Sequence, residues 1–240
     1  MSPDDASSSH PSAEEVVQRK PLVQCMAAGA LAALVAGSAA VPAARAQQES
    51  PWRNVPDSVR KNTMQVWSGY SPGSVRFLGF VRGARFAAVS VRYQRVLARD
   101  ADGTRAIDYV GEFVPLATMT YEPVNGAPPP AAARGERTLY GWGLTLAGVR
   151  LRNTGGTDWW HPYLEGGLGF VYFADPLPDR RGRRFNFTAW VGVGVRLRVG
   201  AGAAVTLGYR FHHLSNGFRG QINPGVDSNI FHLGATVARF

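Results

Sequence analysis

From about residue 60 onward, apolar residues fall on alternate positions of the chain, the period of a β-strand. The clearest run is Phe185 to Val199. Phe185, Phe187, Ala189, Val191, Val193, Val195, Leu197 and Val199 form one face, against Asn186, Thr188, Trp190, Gly192, Gly194, Arg196 and Arg198 on the other. At 3.3 Å per residue this run reaches about 50 Å, far beyond the five or six residues of an average soluble strand. After Gly200-Ala201-Gly202, which reads as a tight turn, Ala203, Val205, Leu207, Tyr209 and Phe211 oppose Ala204, Thr206, Gly208, Arg210 and His212. Further segments near 62–70, 84–97, 105–121, 138–151, 161–173 and 229–239 bring the expected number of strands to eight.

Two of these segments show what the second face is made of. Ile107, Tyr109, Phe113, Ala117 and Met119 share a parity, with Asp108, Glu112, Thr118 and Thr120 on the other; Leu164, Leu168, Phe170 and Tyr172 oppose Glu165, Gly167 and Gly169. An apolar, aromatic outer face and a small, polar or charged inner face predict an all-β fold: an eight-stranded antiparallel transmembrane β-barrel. Trp159 and Trp160 stand at a strand end as girdle residues, and the last strand closes on Phe240. The long connections 124–137, 174–184 and 216–228 fall on one side, and the shorter ones at 99–104, 152–160 and near 201 on the other, as outer loops and periplasmic turns do. A soluble lipocalin-like barrel is the alternative. It places the apolar face inside and leaves Arg196, Arg198, Arg210, Glu112 and Glu165 as surface charges.

The N-terminal segment reads differently. Arg19 and Lys20 precede an Ala/Leu-rich stretch ending in Ala44-Arg45-Ala46, the basic, apolar and A-x-A regions of a secretory signal peptide over residues 1–46. The stretch before Arg19 is long and acidic for such a leader, which suggests a start downstream of Met1. Cys25, the single cysteine, precedes the apolar core and is not placed for lipoprotein processing. Residues 47–61 then form an N-terminal periplasmic segment and 62–240 the outer-membrane barrel. Composition agrees, since 28 glycines in 240 residues far exceed the roughly 7% of an average protein. The chain carries a net charge of +9. An exported protein this basic meets anionic membrane surfaces such as lipopolysaccharide phosphates, not nucleic acid. A second copy of the chain is a partner the sequence leaves open.

The seventh segment continues past Phe211 as His212-His213-Leu214-Ser215-Asn216-Gly217. His213 and Ser215 share a face about 6.6 Å apart along the strand, so an imidazole can serve as general base to a hydroxyl. They end an otherwise apolar outward face, where no structural role calls for them; His212 has the opposite parity and is expected to point inward. Asp227 opens the eighth, antiparallel strand and returns to His213 as the anion that orients it. Backbone N–H groups near Asn216 and Gly217, with the Asn223 amide of Asn223-Pro224-Gly225, are candidate oxyanion donors. A bare H-x-S is common by chance, and the His and acid residues show no metal-ligand spacing, so neither metal nor cofactor is expected.

The His213-x-Ser215-Asn216 and Asn223-Pro224-Gly225-x-Asp227 motifs resemble those of the PagL-type lipid A 3-O-deacylases, eight-stranded outer-membrane barrels. His161-Pro162-Tyr163-Leu164-Glu165-Gly166-Gly167-Leu168-Gly169-Phe170 resembles a strand of that family, and Asn186-Phe187 with the glycines after it the next strand. The likeness covers most of 138–240; the first three strands match by pattern alone. It implies that His213, Ser215 and Asp227 form a catalytic triad and that Asn223 serves the oxyanion. The family's acid is commonly Glu, and its S-N-A is here Ser215-Asn216-Gly217. The expected function is that of a serine esterase removing the 3-O-linked hydroxyacyl chain of lipid A. Arg180, Arg181, Arg183 and Arg184 of the adjacent loop would meet its phosphates or stand as solvated charges. The rival reading is a non-catalytic OmpX-like structural or adhesion barrel, in which Ser215 has no role.

Overall fold

A computed structural model of the chain describes residues 52–54, 62–122, 135–155, 159–200 and 203–240. The leader read over 1–46 lies outside them, as do most of 47–61 and of the loop 124–137. Ten strands are present: β1 (Trp52–Asn54), β2 (Asn62–Ser71), β3 (Ser74–Val75), β4 (Arg85–Asp100), β5 (Arg105–Tyr121), β6 (Arg137–Asn153), β7 (Trp160–Leu177), β8 (Arg183–Arg198), β9 (Ala204–Ser215) and β10 (Val226–Arg239). Eight are the staves of a closed antiparallel barrel: β2, β4 and β5 to β10 each pair with the next, and β10 pairs back onto β2. Closure leaves no unpaired edge, which a sheet surrounded by lipid requires. At the end of the seam Asn62 and Phe240 exchange backbone hydrogen bonds of 2.9 and 3.1 Å.

The two short strands extend β2 at its ends. β1 lies along the end of β4, with Trp52 opposite Asp100, and β3 lies along the start of β10, with Val75 opposite Asp227. Both are too short to carry a period-2 signal.

The alternation read from the sequence holds with apolar residues outward. Along β8, Asn186, Thr188, Trp190, Gly192 and Arg196 are buried, while Phe187 and Val193 are exposed to the surroundings. Leu164, Leu168 and Tyr172 on β7, Leu207 on β9, and Phe231 and Leu233 on β10 extend that exposed apolar band. Arg196, Arg210, Glu112 and Glu165, surface charges in a soluble barrel, are interior. One expectation is corrected. Ala117 and Met119 point inward with Tyr121, and Thr118 and Thr120 point outward, because register shifts near Pro115 insert an extra residue into β5 and reverse its parity beyond Leu116.

The interior is filled by an ionic network. Arg210 meets both Glu112 oxygens at 3.0 Å, and Arg150 meets Glu165 at 2.7 and 3.0 Å. Arg92 bridges the two acids, at 2.6 Å to Glu112 and 3.2 Å to Glu165. The Arg210 guanidinium also lies 3.6 Å from the Trp190 ring centroid, and Arg150 3.9 Å from that of Tyr163. Such a plug fixes the barrel's cross-section and leaves chemistry to its outer surface and rim. Removing one acid strands buried guanidinium groups, at a cost of roughly 3–5 kcal/mol. Glu165→Ala is therefore expected to lower the midpoint of urea unfolding in lipid vesicles, followed by tryptophan fluorescence. An unchanged midpoint would show that the network is dispensable.

Candidate functional site

His213, Ser215 and Asp227 lie together at the rim of the barrel formed by β9, β10 and the long loops. Asp227 and His213 are direct cross-strand partners, and Ser215 follows His213 on the same face. β10 begins at Val226, three residues earlier than its apolar pattern indicates, and this extension carries Asp227 into the ladder. His213 Nδ1 is 2.6 Å from Asp227 Oδ1. With Nδ1 committed to the carboxylate, Nε2 is the nitrogen left to face a neighbour on the strand.

The other carboxylate oxygen is bound as tightly. Asp227 Oδ2 accepts the backbone N–H groups of Phe77, Leu78 and Gly79 at 2.9, 2.7 and 2.7 Å. The loop after β3 thus wraps over the acid, whose side chain is wholly buried although its strand position faces outward. Phe80 N–H to Pro224 O at 2.6 Å stitches the loop to the segment before β10. Gly79 is required by this approach, since a Cβ there would stand 2.7 Å from the Gly225 backbone. No residue type in the sequence marks these donors, because every non-proline residue has an N–H; a glycine at the contact is the only trace.

Ser215 Oγ is surrounded by donors. Gly217 N–H reaches it at 3.1 Å and Asn223 Nδ2 at 3.0 Å. Asn223 Oδ1 accepts the Asn216 N–H at 3.0 Å, which orients the amide with its nitrogen toward the serine; Oδ1 also lies 3.2 Å from Ser215 Oγ. The Asn216 side chain turns away into the loop, donating to Ile222 O at 2.7 Å, so this residue braces the segment. Gly217 has φ +63°, a left-handed conformation that suits glycine and aims its N–H back at the hydroxyl. No hydrogen bond joins His213 to Ser215 in this arrangement: the hydroxyl is turned to Asn223 and Gly217. His212 points inward and stacks on Phe86, as its parity indicates.

The basic turn between β7 and β8 adjoins this cluster. Arg181 pairs with Asp179 at 3.0 Å, and its carbonyl accepts Gln221 N–H at 2.7 Å. Burial raises the Asp179 carboxyl, but hydrogen bonds from the Arg181 side chain and backbone outweigh this and hold it below the usual carboxylate range. Arg183 Nε donates to Arg219 O at 2.6 Å, while Arg180 and Arg184 are exposed. The turn and the 216–225 segment are therefore tied together on one side of Ser215. Arg219, absent from the sequence-derived candidates, lies over Phe185 and Phe187 at 5.2 and 5.7 Å.

Residues 119–236 match the family of lipid A 3-O-deacylases (PagL). No curated protein matches the chain. Among solved structures, the outer membrane enzyme PagL is 15% identical with a TM-score of 0.43, covering 71% of this chain and 97% of that one. Neisserial surface protein A is 18% identical with a TM-score of 0.40, covering 73% and 96%. Ail, the attachment invasion locus protein of Yersinia pestis, is 14% identical with a TM-score of 0.40, covering 75% and 99%. The matched segment holds His213, Ser215, Asn223 and Asp227 on a closed barrel with an apolar outer band. This protein is an outer-membrane β-barrel whose residues 119–236 belong to the lipid A 3-O-deacylase (PagL) family.

Proposed function

We propose that this protein is a serine esterase that hydrolyses the 3-O-linked hydroxyacyl chain of lipid A in the outer leaflet. The observation that carries the reading is the Asp227–His213 pair, 2.6 Å apart on the outward face, beside a serine hydroxyl met by two N–H donors. An inward-facing cluster would have no access to a lipid; this one lies at the outward rim, next to the exposed apolar band of the barrel.

Asp227 holds the imidazole with Nδ1 protonated, leaving Nε2 to take the Ser215 proton. The resting serine hydroxyl occupies the position a substrate carbonyl oxygen needs. When that oxygen takes over the Gly217 N–H and Asn223 amide, rotation about the Ser215 Cα–Cβ bond turns the hydroxyl toward His213. Attack on the ester carbonyl gives a tetrahedral oxyanion stabilised by the same two donors. His213 then returns the proton to the departing sugar oxygen, and water releases the acyl chain from Ser215 by the reverse sequence. A groove of about 560 Å³ on the outer face of β2, β4, β5 and β10, lined by Tyr70, Ala87, Val89, Leu116, Phe231 and Leu233, offers an apolar bed for the acyl chain. Phe231 lies four residues along β10 from Asp227, about 13 Å along the strand away from the rim. Of the four arginines of the basic turn, Arg180, Arg183 and Arg184 are the ones free of a carboxylate among the described residues and would meet the phosphates of the headgroup, while Arg181 is held by Asp179.

Two outcomes test this. Mass spectrometry of lipid A from cells expressing the protein should show loss of one 3-O-linked hydroxyacyl chain, absent with Ser215→Ala; identical lipid A in expressing and empty cells, across several lipid A types, sinks the reading. Asp227→Asn keeps acceptors for the loop but no longer fixes the imidazole tautomer. It should lower kcat by about three to four orders of magnitude with the barrel still folded; a mutant retaining wild-type kcat would remove Asp227 from the triad.

A further inference from the structure

We infer that Arg219, with Arg183, binds a phosphate monoester carried by the same sugar ring whose 3-O ester meets Ser215, and so selects substrates phosphorylated on that ring. The inference rests on the esterase reading and adds to it a residue, a ligand group and a position.

The geometry begins two residues beyond Gly217. Arg219 N–H returns to Asn216 O at 3.3 Å, and its guanidinium is laid over Phe185 and Phe187. Phe187 stands opposite Ser215 in the β8–β9 ladder, and a Cβ at Gly217 would meet its ring at 3.0 Å. The Phe187 ring therefore adjoins both the Arg219 cation and the residue whose N–H contacts the Ser215 hydroxyl.

How the cation is held matters more than its presence. The rim arginines Arg85, Arg137 and Arg181 are each paired with a carboxylate. Arg219 is held by ring faces, which fix a guanidinium plane without consuming an N–H. No nitrogen of its guanidinium has a hydrogen-bond partner among the described residues. Arg183 is drawn to the same place, because its Nε donates to the Arg219 carbonyl, and its two terminal nitrogens are likewise unpartnered among the described residues. Two arginines of adjoining segments, joined through the Arg219 carbonyl and paired with no carboxylate among the described residues, are suited to a dianion, and planar guanidinium forks match phosphate oxygens in bidentate fashion. A pyranose with a phosphate at C1 and an ester at C3 carries the two groups on one rigid ring, a separation comparable to the width of the phenyl ring that Arg219 and Gly217 both adjoin.

The test uses purified protein in detergent micelles and two synthetic substrates, a 3-O-acylglucosamine with and without a 1-phosphate. Wild type should prefer the phosphorylated sugar by about tenfold or more in kcat/KM, chiefly through KM. Arg219→Ala should bring the ratio near one, and Arg219→Lys should restore part of it. A ratio unchanged in Arg219→Ala, or equal losses on both sugars, overturns the inference. Calorimetric binding of the phosphorylated sugar and of inorganic phosphate to Ser215→Ala, with and without Arg219→Ala, separates the two readings. Phosphate-dependent binding through Arg219 without hydrolysis by wild type would leave the phosphate site standing and remove the esterase. Hydrolysis with no phosphate preference would do the reverse, and inorganic phosphate binding as tightly as the sugar would make this a free-anion site and overturn the inference.

Discussion

A sheet that crosses a bilayer must close, because lipid offers no partner to an unpaired backbone N–H or C=O. Here the requirement is met by pairing β10 with β2, and the candidate site stands at the outer end of that seam. Beyond Ser71 the seam is continued by the two-residue β3, whose following loop turns over Asp227 and gives the carboxylate three backbone donors. Closure and site assembly thus share one joint. The same carboxylate that anchors the loop also holds His213, so the order of the loop and the orientation of the imidazole depend on one side chain.

The interior supports this from the other side of the wall. Arg92, Arg150 and Arg210 with Glu112 and Glu165 occupy the barrel centre, bracketed by Trp67, Tyr163 and Trp190. A filled and cross-linked interior leaves no lumen for a ligand and makes a stiff wall. Stiffness matters for the proposed triad, which is built across two strands, because misplacement of about 1 Å is costly. The polar residues at the outward rim stand out against the apolar band below them.

Much of this was legible in the sequence, for physical reasons that can be named. Period-2 alternation over long runs gave the eight staves and the inverted faces, because lipid outside and charge inside separate residue types cleanly along a strand such as Phe185–Val199. The spacing of His213 and Ser215 and the return of Asp227 were readable because strand geometry converts sequence offset into position. What parity missed lies where that conversion breaks. The irregularity at Pro115-Leu116 reversed the face of Ala117 and Met119, since alternation carries no record of an inserted residue. The donors from Phe77, Leu78 and Gly79 were invisible because they are main-chain groups. Arg219 was overlooked because its partners, Phe185 and Phe187, face it only after two loops have been brought together.

The central claim is that Ser215 is a nucleophile activated by His213. It is tested most directly by reacting the purified protein in detergent micelles with an alkyl fluorophosphonate and locating the adduct by peptide mass spectrometry. The account predicts a single adduct on Ser215, formed at a rate that falls by about three orders of magnitude in His213→Ala. Modification of a different serine, no modification at all, or equal rates with and without His213 would contradict it.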